Sequence, residues 1–160
     1  FGPDKNLAEH VAESTGKNII PIPKDGHCYV HVMFDENVLR KYKERGYVVI
    51  VHPECPKCIR NAADYVGSTK QMYDYIKRNP GEKIVVGTEV GFVERVRRDF
   101  PNLEILPLDP KAICEDMKKI TLDKLYASLR NRVYRIEIER DIAKHIRSAL
   151  DRTFRLLGLM

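Results

Sequence analysis

Hydrophobic positions fall in short unbroken runs separated by amphipathic stretches. The densest run is Tyr47-Val48-Val49-Ile50-Val51, mostly β-branched and without polar alternation. Such a run predicts a strand covered on both faces, as in a parallel sheet. It stops at His52-Pro53-Glu54-Cys55, because proline has no N–H to offer a ladder. Shorter runs at 65–66, 83–86 and 103–106 predict three more strands. Helical patterns lie between and before them. One covers 6–15, with Leu7 and Val11 on one face and Gly16 as its stop. Others run from an Asp35 cap to residue 45, over 56–63 and 70–78, and up to Asp99, before Pro101. Residues 18–23 read as a short strand or extended segment, and 24–31 as a loop. Beyond a Pro/Asp linker come a helix after Cys114, a helix capped by Thr121 and running to about residue 131, and an extended 134–138. A final amphipathic helix carries Ile142, Ile146, Ala149, Leu150, Phe154 and Leu157 in one stripe. Strand-helix alternation predicts right-handed βαβ units and an α/β fold.

Each strand ends in a small polar cluster: His52-Pro53-Glu54, Gly67-Ser68-Thr69 and Gly87-Thr88-Glu89. Carboxyl ends of parallel strands share one rim, where such sheets bind ligands. In the second and third clusters glycine allows close approach, a hydroxyl (Ser68 or Thr88) caps the next helix, and free N–H groups favour an anion. Capping alone explains either hydroxyl. Three clusters on one rim point to an anion-binding crevice. His52 reads as a rim group or a satisfied core histidine. Glu54 reads as a solvated carboxylate or, if walled by apolar groups, as a base with a raised pKa.

Composition narrows the class. The chain has 160 residues, 43% hydrophobic and 32% charged, which suits a packed core and excludes disorder. The net charge of +5 comes from basic residues interleaved with acids rather than from a block. That reads as a solvated surface rather than a nucleic-acid surface, with some bias toward small anionic substrates. No apolar run approaches a membrane span and no signal peptide is evident, so the expected setting is cytoplasmic. There, four cysteines read as metal ligands or redox groups rather than as disulfides. Cys55 and Cys58 form a CxxC at a helix start, the pattern of a dithiol redox pair. Cys28 and Cys114 are isolated in loops: such a cysteine is usually a small buried hydrophobe, but near a catalytic rim it is a candidate ligand for iron or zinc, and two or three thiolates would suit an iron–sulfur cluster. A single glutamine, Gln71, among many Lys, Arg and Glu residues hints at a heat-adapted source. The chain opens on Phe1-Gly2-Pro3-Asp4 without an initiator methionine, and reads as part of a longer or processed protein.

Five motifs in order carry a resemblance. They are Gly26-His27-Cys28-Tyr29-Val30-His31, His52-Pro53-Glu54-Cys55, Gly67-Ser68-Thr69 with Met72 and Tyr75, Gly87-Thr88-Glu89-Val90-Gly91, and Ile113-Cys114-Glu115-Asp116-Met117-Lys118-Lys119-Ile120. Together they resemble quinolinate synthase, an iron–sulfur enzyme family of de novo NAD synthesis, from Phe1 to about Leu129. The resemblance implies three similar three-layer αβα domains with short parallel sheets, arranged in pseudo-threefold fashion around a 4Fe-4S cluster. Residues 1–27 would be the tail of a preceding domain, 28–113 a complete one, and 114–160 a helical segment packing on a missing N-terminal portion. The implied reaction condenses iminosuccinate (iminoaspartate) with dihydroxyacetone phosphate, with an open iron as Lewis acid. Cys28 and Cys114 would be cluster ligands, the third lying outside this chain. His52, Pro53, Glu54 and Thr69 would contact substrate, with Glu54 and His52 catalytic and Cys55 and Cys58 spectators. Alone, the chain would neither hold an intact cluster nor turn over. The competing expectations are a CxxC dithiol oxidoreductase and a non-catalytic anion-binding α/β module.

Overall fold

The computed structural model describes residues 1–159, and the apolar runs of its first part pair as one parallel sheet. Its strands are β1 (Val48–Val51), β2 (Tyr65–Val66), β3 (Ile84–Gly87) and β4 (Ile105–Pro107), in the order β2-β1-β3-β4. Val48 faces Ile84 across the central pair, and Val51 faces Gly87. Side chains alternate, so Val49, Val51 and Val85 enter one apolar cluster while Ile50, Ile84 and Val86 enter another. The first is closed by Leu39 of α2 (Glu36–Glu44) and Ile59 of α3 (Lys57–Ala62). The second is closed by Met72 and Ile76 of α4 (Thr69–Arg78) and by Val93 and Val96 of α5 (Val90–Asp99). The result is the expected three-layer αβα arrangement. The strands lack polar alternation because neither face meets water. Each fully buried Val or Ile there stabilises the sheet by roughly 1.5–3 kcal/mol.

Helix ends follow local chemistry. Asp4 caps α1 (Lys5–Thr15), which closes at Gly16 with φ 66°. Asp35 caps α2, its carboxylate accepting from Asn37 N, and Ser68 caps α4 in a box completed by Gln71. Thr88 does not cap α5. Glu89 does so, accepting from Gly91 N at 2.7 Å, which frees the Thr88 hydroxyl for the site described below. Gly87 is required by space, since a Cβ there would lie 2.9 Å from Val51 Cγ1.

Residues 18–23 form no strand. Pro21 and Pro23 lack donors, and the free backbone groups turn back on the chain start, with Ile22 N donating to Phe1 O at 2.6 Å. Ile20 and Ile22 remain exposed.

The chain divides into two compact units, Phe1–Glu115 and Asp116–Met160. A short helix, α6 (Glu115–Lys118), falls at the division. The second unit holds α7 (Leu122–Asn131), capped by Thr121, and α8 (Arg140–Leu156). Residues 134–138 between them form no strand. The α8 stripe of Ile142, Ile146, Leu150 and Phe154 is exposed. Among the described residues, no helix is long and apolar enough to cross a membrane.

Candidate active site

The connections from β1 and β3 leave in opposite directions along the sheet, β1 to its neighbour β2 and β3 to β4. Their carboxyl ends therefore flank a topological switch point, the place where open α/β sheets bind ligands. His52 and Glu54 follow β1, and Thr88 and Glu89 follow β3. His52 N donates to Gly87 O at 3.0 Å, which fixes the two strand ends together.

The centre of this crevice is His31, in a single 3-10 turn over His31–Met33. Its ring stacks on His52, with centroids 4.5 Å apart and planes 13° off parallel. Its Nε2 is hydrogen-bonded with Thr88 Oγ1 at 2.9 Å. Its Nδ1 lies 3.0 Å from Glu54 Oε2, yet the ring N–H does not point along that line, so the contact is electrostatic rather than an aligned hydrogen bond. His31 is 7% exposed. The sequence motif Gly26–His31 contains this histidine without marking a role for it. The signal was its position three residues after Cys28, which one tight turn converts into proximity.

Burial and the neighbouring His31 ring push the His52 imidazole down to about 4. At neutral pH it is uncharged. Its Nδ1 accepts from Glu54 N at 3.3 Å. The contact from the His31 ring holds the Glu54 carboxyl below its ordinary value, with burial pulling the other way. Glu54 is therefore not the carboxyl raised by apolar walls that the sequence allowed. It is an ionised acceptor at neutral pH, because a ring nitrogen rather than hydrocarbon faces it. Pro53, between His52 and Glu54 in sequence, is buried.

Cys28 completes the near wall. Its thiol, His31 and Glu54 each offer a ligand atom, all within 4.8 Å of one another. Its backbone N donates to Asp4 Oδ2 at 2.8 Å, while Asp4 Oδ1 accepts from Leu7 N, so one buried carboxylate ties the Cys28 loop to α1. Cys114 is placed by a second loop. Its N donates to Glu89 Oε1 at 3.3 Å, and the hydroxyl of Tyr29, next in sequence to Cys28, donates to its Sγ at 3.6 Å. The same hydroxyl accepts from Glu115 N at 2.7 Å. Both thiols are half-buried and free. Two soft donors on cross-tied loops at one rim fit an iron–sulfur group.

Thr69, the first residue of α4, is exposed. It lines a depression of about 330 Å³ with Lys70, Tyr73, Phe92 and Arg95, while Cys28 and Glu54 share another of about 270 Å³ with Asp4 and His27. Cys55 and Cys58 do not form a reactive pair. Cys55 is fully buried, burial pushes its thiol well up, and its Sγ faces Gly87 O at 3.7 Å, whereas Cys58 is exposed.

The model of the family described as quinolinate synthetase A protein matches residues 1–155. A quinolinate synthase of Thermotoga maritima is 42% identical over 161 residues, covering 99% of this chain and 53% of that protein. One of Thermococcus onnurineus is 44% identical over 155 residues, covering 95% and 50%. One of Methanocaldococcus jannaschii is 36% identical over 162 residues, covering 98% and 53%. The chain spans about half the length of the curated relatives it matches.

Proposed function

The chain belongs to the quinolinate synthetase A protein family, and from that premise we propose that it supplies one part of a cytoplasmic quinolinate synthase. Residues 1–27 are the tail of a preceding domain and 28–113 a complete αβα domain of a pseudo-threefold enzyme. Residues 114–160 pack on an N-terminal portion that this chain does not contain. The exposed apolar stripe of α8 supports that packing. The substrates are iminosuccinate and dihydroxyacetone phosphate. Cys28 and Cys114 hold a 4Fe-4S cluster with a third thiolate from the N-terminal portion. When bound, the cluster supplies a Lewis-acidic iron that polarises an oxygen of the substrate.

The residues of this chain then divide the work. Glu54, ionised and facing the crevice, takes the proton that leaves carbon in the imine–enamine shift and returns it in the dehydrations. Neutral His52 orients the substrate with its ring nitrogens, and the stacked His31 fixes the angle of that ring. Thr69 and free N–H groups at the start of α4 hold an anionic group. Pro53 shapes the turn that aims Glu54. The observation carrying the reading is the convergence of Cys28, His31, His52 and Glu54 at the β1/β3 switch point, with Cys114 tied alongside through Tyr29.

The test is anaerobic production of this chain together with the portion its relatives have in addition, followed by a quinolinate assay. Quinolinate formation lost in Glu54→Gln with the cluster absorbance kept is expected. Near-normal turnover in that variant removes Glu54 from the role. A colourless, inactive protein that still binds a small dianion favours the non-catalytic module instead.

A further inference from the structure

We propose that Cys28, His31 and Glu54 form a binding site for a single divalent transition-metal ion, zinc or ferrous iron, filled when no iron–sulfur cluster claims Cys28. The thiol, the imidazole and the carboxylate each offer one ligand atom, all within 4.8 Å. They comprise one sulfur, one nitrogen and one oxygen donor, a set that suits zinc with an open fourth position.

A second observation comes from His31 itself. The ring is 7% exposed, and its Nδ1 has no hydrogen-bond partner. A buried ring nitrogen whose near acceptor is out of hydrogen-bond alignment calls for an explanation. That atom stands 3.0 Å from Glu54 Oε2 without an aligned proton between them. Two donors bound to one tetrahedral ion by bonds of about 2.0–2.1 Å lie about 3.3 Å apart, close to that spacing. The other ring nitrogen is engaged by the Thr88 hydroxyl, the outer-shell bond that orients a metal-bound histidine and leaves Nδ1 for the ion. Asp4 fixes the Cys28 backbone. The depression shared by Cys28 and Glu54 provides the entry path.

The ion is held by residues of this chain alone, independently of the proposed reaction. The two readings compete for Cys28, so they fail separately. The probe is cobalt(II), titrated anaerobically into the reduced, metal-free 160-residue chain. One tightly bound equivalent is expected, with a thiolate-to-cobalt band in the near ultraviolet and tetrahedral bands in the visible. Cys28→Ser should abolish the ultraviolet band, while Cys58→Ser and Cys114→Ser keep it. His31→Asn and Glu54→Gln should each weaken binding at least tenfold. Zinc should displace the cobalt and bleach both bands. No saturable binding overturns the inference, as does a band that survives Cys28→Ser and vanishes with another cysteine. Loss of the cluster in the complete enzyme would count against the proposed function and leave this site untouched.

Discussion

His52 makes folding sensitive to mild acid in a way that can be worked out in advance. In the unfolded chain an imidazole takes a proton near 6.5, whereas in the folded site His52 does so only near 4. As pH falls through 6.5 the unfolded state binds a proton that the folded state refuses, so stability drops. The full gap corresponds to about 3 kcal/mol, present above 6.5 and gone below 4. Between pH 7 and pH 5 the linkage relation gives about 2 kcal/mol. Glu54 acts in the same direction but lower on the scale, because its folded carboxyl sits below 4.5 and its contribution disappears only as pH falls beneath that value. The interval from 7 to 5 therefore leaves out most of the Glu54 contribution, while His10, also lowered by burial and then by Arg60, acts in the same direction as His52, so the difference between wild type and His52→Gln is what reads His52. The chain has no tryptophan, and the second unit adds its own helical signal. Amide hydrogen exchange at Val49, Ile50 and Val51 is the appropriate assay, because their protection reports opening of the sheet. Wild type should lose about 2 kcal/mol of protection from pH 7 to 5 after correction for intrinsic exchange rates. His52→Gln should lose well under half as much. An identical loss in both proteins would refute the claim that His52 is kept neutral by burial.

Other expectations follow from single contacts. The buried Arg60 guanidinium donates to Cys55 O at 2.7 Å and Asn6 O at 3.2 Å and pairs with Glu9 and Glu13. Arg60→Leu strands two carbonyls and should destabilise the first unit by about 3–4 kcal/mol, read as a shifted urea midpoint; a change under 1 kcal/mol would deny the network that weight. Ser68→Ala removes one half of a capping box and should cost about 1 kcal/mol, with early exchange confined to the first turn of α4. Tyr29→Phe removes the hydroxyl between the Cys28 and Cys114 loops and should speed cluster loss in air severalfold in the complete enzyme; unchanged decay would mean the hydroxyl does not brace the ligand loops.

The sheet was readable because its signal is local. The Val/Ile run at 48–51 and its echoes at 84–86 and 105–106 are unbroken for the same reason they are buried, and caps such as Asp35, Ser68 and Thr121 act within three residues of themselves. Residues 18–23 were less readable. Ile19-Ile20 has the composition of a strand but no neighbouring strand to pair with, and pairing is not written in a segment alone. The rim clusters were visible, yet the partners within them were not. Thr88 looks like a cap beside Glu89 and became a hydrogen-bond partner of His31, 57 residues away. The sign of the Glu54 shift was likewise out of reach, since it depends on a ring brought in from residue 31. Cys55 carries a redox motif in sequence and lies fully buried in space.

Cys28 and Cys114 are proposed to grip one iron–sulfur group, and the metal content decides it. Iron and acid-labile sulfide should be measured in the anaerobically purified complete enzyme and in its Cys28→Ser, Cys114→Ser and Cys55→Ser variants. About four iron and four sulfide per chain are expected in the unaltered protein and in Cys55→Ser, with the cluster lost from the other two. A cluster that survives Cys28→Ser and Cys114→Ser, or that disappears with Cys55→Ser, contradicts the account.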